Sequence, residues 1–195
     1  AGIHGLPTDA LPPLRRAGPA QELQNLRDWH RGHGTARPVF QLAMAWLQAR
    51  LPAEPPALAL VHGDFRNGNL IVAPQGLAAV LDWELAHVGD PAEDLGWLCV
   101  ASWRFGRTAL TVGGFGQVDD LAAGYADGGG VFDAARVHWW QVLGTLRWGV
   151  ICESMVHAWL HGEADNLERA AVGRRASEAE ADLLALIAPR TAAAA

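Results

Sequence analysis

The chain has 195 residues, of which 50% are hydrophobic and 18% are charged, and its formal net charge is -6 at pH 7. A chain of this length and composition can bury one sizeable core, which excludes a disordered tail, and its acidic balance argues against a nucleic-acid partner. No apolar run approaches the ~20 residues of a membrane span. We therefore expect a cytoplasmic protein without a membrane partner, with Cys99 and Cys152 as reduced, buried thiols.

Hydrophobic spacing and turn residues predict short strands in the middle of the chain and helices on either side. A proline-rich connection at about 8–20 comes first, and the end after Arg190 is expected to fray. The predicted helices lie at about 20–31, 37–50, 91–103, 117–127, 133–160 and 166–188, and the predicted strands at about 58–62, 69–73 and 77–82.

Residues 60–84, LVHGDFRNGNLIVAPQGLAAVLDWE, carry the pattern that points to a chemistry. Asp64 and Asn69 are five residues apart in a polar loop, and Asp82 ends the next apolar run, so neighbouring strands should hold all three side chains close together. An Asx-type turn alone would explain Asp64 and Asn69 but not the strand that ends in Asp82. Oxygen ligands for Mg²⁺ beside a group that takes a proton are what phosphoryl transfer requires.

This segment resembles the catalytic core of the aminoglycoside phosphotransferase and choline kinase superfamily, whose members are relatives of the protein kinases. In that superfamily H-G-D-x-x-x-x-N is followed by an apolar run that ends in I/L-D. The matching residues here are His62, Gly63, Asp64, Asn69 and Asp82. Asp82-Trp83-Glu84 and the stretch GDPAEDL at 89–95 resemble one branch, the kinase-like domains related to those fused to acyl-CoA dehydrogenases. The resemblance implies an α+β, mainly α-helical fold: the C-terminal lobe of a protein-kinase-like phosphotransferase, with a small β-hairpin carrying the catalytic motif.

The resemblance also implies roles for the residues of the motif. Asp64 would accept or orient the proton of a substrate hydroxyl, while Asn69 and Asp82 would hold Mg²⁺ against the phosphates of ATP or another nucleoside triphosphate. Arg66 would offset charge on the transferring phosphate. Glu84 would bind a second metal ion or the substrate.

Further residues are expected to support this site. Ile71 and Leu81 correspond to the apolar floor of the adenine site. His62 lies on an apolar strand, where a lone histidine is more often a packed residue than a base, and Asp94 corresponds to a buried acid that bonds to the catalytic loop. Asp90, followed by a proline, has the pattern of a helix N-cap.

The sequence contains 15 arginines and no lysine. Kinases of this superfamily grip the nucleotide phosphates with a strand lysine of the N-terminal lobe. We therefore expect one kinase-like C-terminal lobe without the N-terminal nucleotide lobe, beginning just after the hinge, and self-association through the exposed hinge-facing surface around Ile71 and Leu81. The expected parts are a helical entry segment at 1–57, a catalytic hairpin at 58–84 and a helical subdomain at 85–195.

The preferred hypothesis is an ATP-dependent phosphotransferase that acts on a hydroxyl of a small molecule. The alternative is a non-catalytic kinase-like binding module, and a metallophosphoesterase is disfavoured because Asn69 is followed by Leu70 where that class has a histidine. The resemblance implies an acceptor pocket built from helices of the C-terminal lobe, which makes Arg147, Glu153 and His157 reachable candidates, but their spacing selects no substrate. Most of the tryptophans on the predicted helix at 133–160, which are Trp139, Trp140, Trp148 and Trp159, are expected to pack in the core.

Overall fold

A computed structural model describes residues 1–163 and 165–188, and within them the chain forms seven α-helices and five short strands. The frayed end expected after Arg190 lies outside the described residues. The strands are β1 (Arg16–Ala17), β2 (Ala59–Val61), β3 (Leu70–Ala73), β4 (Gly76–Val80) and β5 (His87–Gly89). The helices are α1 (Pro19–His33), α2 (Pro38–Ala49), α3 (Ala92–Leu98), α4 (Val118–Asp127), α5 (Ala134–Leu160), α6 (Leu167–Gly173) and α7 (Ala176–Ile187). The mainly helical α+β class is confirmed.

The described residues fall into two compact units. The first comprises 1–22 and 51–144 and contains all five strands. The second comprises 23–50 and the described part of 145–195, in which α2 packs against α7. Phe40, Leu47 and Leu183 are wholly buried in this second unit.

Two separate sheets carry the motif, both in the first unit. In one sheet β5 lies between β1, which runs parallel to it, and β2, which runs antiparallel. In the other, β3 and β4 form an antiparallel hairpin with an irregularity between Ile71 and Val72. The prediction that the motif strands are direct neighbours was therefore wrong for β2, because β2 pairs with β5 instead of the hairpin.

Two predicted helices differ from the observed ones. The helix expected over 91–103 ends at Leu98 and is followed by a separate 3₁₀ turn at Ala101–Arg104. The helix expected over 166–188 is divided into α6 and α7. A Cβ at Gly173 would lie 2.6 Å from the Cβ of Val156, so this glycine permits a close contact with α5 where α6 ends.

Buried side chains agree with several expectations from the sequence. Trp139 and Trp140 are almost completely buried, as predicted for core residues, whereas Trp159 near the end of α5 is 39% exposed. Both cysteines are free and buried, and burial raises the pKa of Cys99 and of Cys152 to about 11. In the part of the chain that the structure describes, no helix combines the length and the apolar character needed to cross a bilayer.

Candidate active site

The motif begins with a sharp turn at Gly63, directly after β2. This residue has φ +83°, a conformation that side chains disfavour, and a Cβ there would lie 2.7 Å from the carbonyl oxygen of Leu85. Only glycine meets both conditions without strain. The turn places Asp64 beside the start of the next sheet, where the 3₁₀ turn Asn67–Asn69 leads into β3.

Asp94, in the first turn of α3, holds this loop through its backbone. Its carboxylate accepts hydrogen bonds from the N–H groups of His62 (2.9 Å) and Gly63 (3.0 Å) and is almost completely buried. His4 Nε2 lies 3.0 Å from Asp94 Oδ2, and His4 Nδ1 lies 2.8 Å from the hydroxyl of Tyr125. The carboxylate is therefore fully engaged in supporting the loop, and His4 belongs to the same network although the sequence did not indicate it.

His62 links the catalytic loop to the end of the β3–β4 hairpin. Its Nε2 lies 2.8 Å from the carbonyl oxygen of Leu81, and its Nδ1 lies 3.2 Å from the backbone nitrogen of Asp64. A carbonyl oxygen can only accept and a backbone N–H can only donate, so Nε2 carries the proton and Nδ1 does not. Both ring nitrogens of His62 are therefore used in hydrogen bonds to the backbone.

The carboxylate of Asp64 is surrounded by hydrogen-bond donors. Oδ1 accepts from the indole Nε1 of Trp97 at 2.7 Å, and Oδ2 accepts from Asn69 Nδ2 at 2.8 Å. Arg66 Nε lies between the two oxygens, 3.2 Å from Oδ1 and 3.1 Å from Oδ2. Three N–H donors therefore point at a carboxylate that offers about four lone-pair sites, and the single Nε–H of Arg66 is shared between its two oxygens.

Asn69 and Asp82 supply two further oxygens. Asn69 Nδ2 donates to the backbone oxygen and to Oδ2 of Asp64, so its amide oxygen keeps its lone pairs free of any hydrogen bond from the described residues. The N–H of Leu81 donates to the backbone oxygen of Asn69 (2.8 Å). Asp82 is the next residue after Leu81, so this bond fixes its backbone near that of Asn69. Asp82 has φ +65° and an exposed side chain, for which the described residues provide no hydrogen-bond or ion-pair partner. An amide oxygen and a carboxylate suit a hard cation such as Mg²⁺.

Glu84, Ile71 and Leu81 complete the set expected from the sequence. Glu84 is exposed, and the described part of the chain offers its carboxylate no partner. Ile71 and Leu81 are 47% and 46% exposed, although both are large and apolar. Such residues are available to a ligand or to another surface.

Several residues around the loop were not foreseen from the sequence. Trp97 contacts Asp64 directly, and its ring centroid lies 5.1 Å from that of Trp103. The guanidinium carbon of Arg66 lies 5.1 Å from the centre of the Trp103 ring. Asn67 Nδ2 donates to the carbonyl oxygens of Trp103 (2.9 Å) and Gly113 (2.8 Å). The high number of tryptophans in the sequence was the one feature that could have indicated this contact, but it does not show which tryptophan bonds to Asp64.

The candidates for the acceptor pocket lie in the second unit. Glu153 is buried and its Oε2 lies 2.7 Å from His30 Nδ1, so this carboxylate has a structural partner. His157 stacks on His161 with ring centroids 4.0 Å apart.

Across residues 1–163 and 165–188, no group of three or more His, Cys, Asp or Glu side chains is arranged to hold a metal ion.

Comparison with known proteins identifies the family. The model of the phosphotransferase enzyme family, APH, matches residues 1–140, which is well over half of the chain. The chain belongs to this family. The resemblance of the H-G-D-x-x-x-x-N segment to the aminoglycoside phosphotransferases is thereby confirmed.

Curated relatives of this family member confirm the predicted branch. Acyl-CoA dehydrogenase family member 11 of Gallus gallus is 36% identical over 107 residues, which cover 52% of this chain and 14% of that protein. Acyl-CoA dehydrogenase family member 10 of Mus musculus is 44% identical over 66 residues, covering 33% of this chain and 6% of that protein. The chain thus corresponds to a small part of the length of these relatives.

Solved structures share the fold at low sequence identity. A choline/ethanolamine kinase family protein from Mesorhizobium loti superposes with a TM-score of 0.66 and 20% identity, covering 96% of this chain and 58% of that chain. Aminoglycoside phosphotransferase APH(4)-Ia, solved as a ternary complex with AMP-PNP and hygromycin B, gives a TM-score of 0.55 and 18% identity over 85% of this chain and 50% of that one. The kinase-like phosphotransferase fold predicted from the motif is confirmed.

Proposed function

We propose that this chain carries the catalytic machinery of a kinase that moves the γ-phosphate of ATP, or of another nucleoside triphosphate, to a hydroxyl of a small molecule. The observation that carries the proposal is a set of hydrogen bonds that connects Asp64, Asn69 and the residue before Asp82. Asp64 and Leu81 are both bonded to His62, Leu81 is bonded to Asn69, and Asp82 follows Leu81 directly. Hydrogen bonds of 2.8 to 3.2 Å to the backbone thereby link the residues that are proposed to supply the proton acceptor and the metal-binding oxygens.

Asp64 is proposed to receive the proton of the acceptor hydroxyl. Its side chain is 16% exposed, so it is reachable, and the donors around it fix the orientation of the carboxylate. An acceptor hydroxyl that bonds to Asp64 would compete with these three donors for the carboxylate oxygens. Arg66 is the donor to be replaced, because its two contacts with Asp64 are the longest.

Asn69 and Asp82 are proposed to hold Mg²⁺ through the amide oxygen and the carboxylate, with Glu84 as a further ligand for a second ion or for the substrate. A bound Mg²⁺ would neutralise charge on the nucleotide phosphates during transfer. Magnesium in kinases commonly takes one or two protein carboxylates and completes its shell with phosphate oxygens and water. The free oxygens of Asn69 and Asp82 meet that requirement.

Arg66 is proposed to turn from Asp64 toward the transferred phosphate once the acceptor is bound. Its guanidinium bonds to Asp64 only through Nε, so the two Nη groups remain available to an anion. Ile71 and Leu81 are proposed as the apolar floor beneath the base, since both are large and about half exposed. The nucleotide in a structural neighbour, the AMP-PNP complex of APH(4)-Ia, supports this assignment by analogy of fold.

The test is a phosphate-transfer assay with the intact gene product, using γ-labelled ATP, Mg²⁺ and a panel of small alcohols that includes amino sugars, macrolides and choline. Asp64→Asn serves as the matched inactive variant because it keeps shape and removes the proton acceptor. General base catalysis typically contributes about 10²- to 10⁴-fold, so transfer should fall by that factor while nucleotide affinity, measured by calorimetry, stays within about twofold. Retention of more than about half of the wild-type kcat would refute the role of Asp64.

The second candidate is a non-catalytic kinase-like module, and the observation that favours it is the absence of lysine from the sequence. In that case Ile71 and Leu81 would support self-association of the chain, and Mg-ATP would not bind at micromolar concentration. Calorimetry with Mg-ATP and sedimentation of the chain alone distinguish the two functions. We expect the chain alone to fold but to catalyse poorly, and micromolar binding with turnover would contradict that expectation.

A further inference from the structure

The contacts of Asp64 reveal a partner outside the family motif. Trp97 lies 33 residues after Asp64 in α3, is 4% exposed and brings its indole N–H to 2.7 Å from Asp64 Oδ1. This is the shortest of the hydrogen bonds that Asp64 accepts. A hydrogen bond between a neutral donor and a carboxylate is stronger than one between two neutral groups, and burial from water strengthens it further.

Three side chains donate hydrogen bonds to Asp64, and we distinguish two that hold the carboxylate, Trp97 and Asn69, from one that can move away from it, Arg66. Trp97 bonds only to Oδ1 and Asn69 only to Oδ2 of the carboxylate, so together they hold the group at both of its oxygens. Arg66 is shared between the oxygens at longer distances, and its side chain is 27% exposed. When Arg66 leaves, the remaining two bonds still prevent the carboxylate from rotating about its χ2 angle.

The position of the Trp97 ring is fixed by close helix packing. A Cβ at Gly96 would lie 2.6 Å from the Cβ of Trp140, and a Cβ at Gly144 would lie 3.0 Å from Cε3 of Trp97. The two glycines therefore allow α3 and α5 to approach closely, with the indole seated against Gly144. The ring centroid of Trp97 also lies 5.1 Å from that of Trp103, whose carbonyl oxygen accepts a hydrogen bond from Asn67 of the catalytic loop.

We propose that Trp97 is a positioning residue of the phosphotransferase site: its indole N–H holds Asp64 Oδ1, so that the carboxylate keeps its orientation when the acceptor hydroxyl displaces Arg66. This inference rests on the proposed function. The hydrogen bond of Trp97 at this site is made to Asp64, so its proposed role concerns the proton acceptor and not the metal ligands.

The experiment compares Trp97→Phe with Trp139→Phe in the intact gene product. Both tryptophans are buried, at 4% and 2% exposure, and both variants keep an aromatic ring, but Trp139 makes none of the contacts of Asp64. Loss of a hydrogen bond to a charged group corresponds to about a 10- to 100-fold effect. Trp97→Phe should therefore lower kcat by about 10- to 100-fold with the KM for nucleotide unchanged, while Trp139→Phe keeps wild-type kcat. A kcat for Trp97→Phe within about twofold of that for Trp139→Phe overturns the proposal.

A second measurement does not depend on turnover or on the folding of Trp97→Phe. The nine tryptophans of the chain give nine indole N–H signals in an NMR spectrum, and the signal of Trp97 can be assigned through its backbone. In Asp64→Asn the indole N–H of Trp97 loses its charged acceptor, so this signal should move, and a Trp97 signal that is unaffected by the substitution overturns the proposal. If the wild-type protein transfers no phosphate, the proposed function fails, whereas the NMR result still decides whether Trp97 holds Asp64.

Discussion

His62 Nε2 is hydrogen-bonded to the carbonyl oxygen of Leu81 at 2.8 Å. His62 lies two residues before Asp64, and Leu81 directly precedes Asp82, so this bond links the two segments that carry the acidic residues. The same ring accepts the N–H of Asp64 through Nδ1. Because one imidazole bonds to the backbone on both sides, the proposed proton acceptor and the proposed metal ligand cannot move independently. Their separate roles can nevertheless be distinguished by substitution.

Asp82→Asn is expected to raise the Mg²⁺ concentration needed for half-maximal rate, because a charged ligand is replaced by a neutral one. Asparagine tolerates the left-handed backbone that Asp82 adopts at φ +65°, so the fold should be unaffected. A titration of initial rate against Mg²⁺ checks the prediction. Asp64→Asn is the control, since it should lower the rate without changing the Mg²⁺ midpoint. Equal midpoints in the two variants would contradict the division of roles.

Gly68→Ala is expected to move Arg66 off Asp64 while keeping its positive charge. A Cβ at Gly68 would overlap Nη1 of Arg66, and the end of a flexible side chain can yield to it. Exposed ion pairs contribute only about 0.2–1 kcal/mol, so freeing Asp64 should lower the KM for the acceptor by at most about fivefold. Steady-state kinetics with varied acceptor measure this change. Arg66→Ala should instead lower kcat, and an identical response of the two variants would rule out the proposed movement of Arg66.

Gly63→Ala is expected to destabilise the fold. The left-handed backbone costs a side chain about 1–2 kcal/mol, and the Cβ would also approach the carbonyl oxygen of Leu85 to 2.7 Å. Urea unfolding should show a loss of at least this size. Gly124→Ala, in α4 with no heavy atom within 4 Å of the added Cβ, should be neutral or stabilising by up to about 1 kcal/mol. Equal stability of the two variants would contradict the geometry of the loop.

His87 is expected to make the stability of the first unit depend on pH. Burial by itself lowers the pKa of His87, but the hydrogen bond and negative charge of Glu93 outweigh burial, and the pKa is raised above 6.5. Because the pKa of His87 is raised in the folded state, protonated His87 stabilises the fold. This stabilisation is fully present below pH 6.5 and is lost as the pH rises through the folded pKa. The difference in free energy of unfolding between wild type and His87→Gln should therefore be larger at pH 6 than at pH 9. A difference independent of pH would show that His87 is not paired in this way.

The catalytic motif could be found from the sequence because its residues are close along the chain. Asp64, Asn69 and Asp82 lie within 19 residues, and fixed spacing between apolar runs is enough to bring them together. The resemblance to a family then gave the fold. Asp94 was expected to bond to the catalytic loop, and its carboxylate indeed accepts the N–H groups of His62 and Gly63.

The features that were missed depend on contacts between distant parts of the chain. Strand β5 has only three residues, too few to show periodicity, and its pairing with β1 spans about 70 residues of sequence. Trp97 belongs to an apolar helix in which every residue of α3 is buried, so nothing local separates it from a packing residue. His4 reaches Asp94 across 90 positions. Such contacts follow from tertiary packing and leave no pattern in a single sequence.

The three N–H donors around the carboxylate of Asp64 bear on a side reaction, the hydrolysis of nucleotide by water. On the proposed function, water competes with the acceptor for the γ-phosphate, and a carboxylate with fewer hydrogen bonds would activate it more readily. Trp97, Asn69 and Arg66 all donate to Asp64, so a water molecule at the same place must compete with them for this proton acceptor. If the acceptor hydroxyl displaces Arg66 as proposed, nucleotide should be cleaved mainly when the substrate is bound.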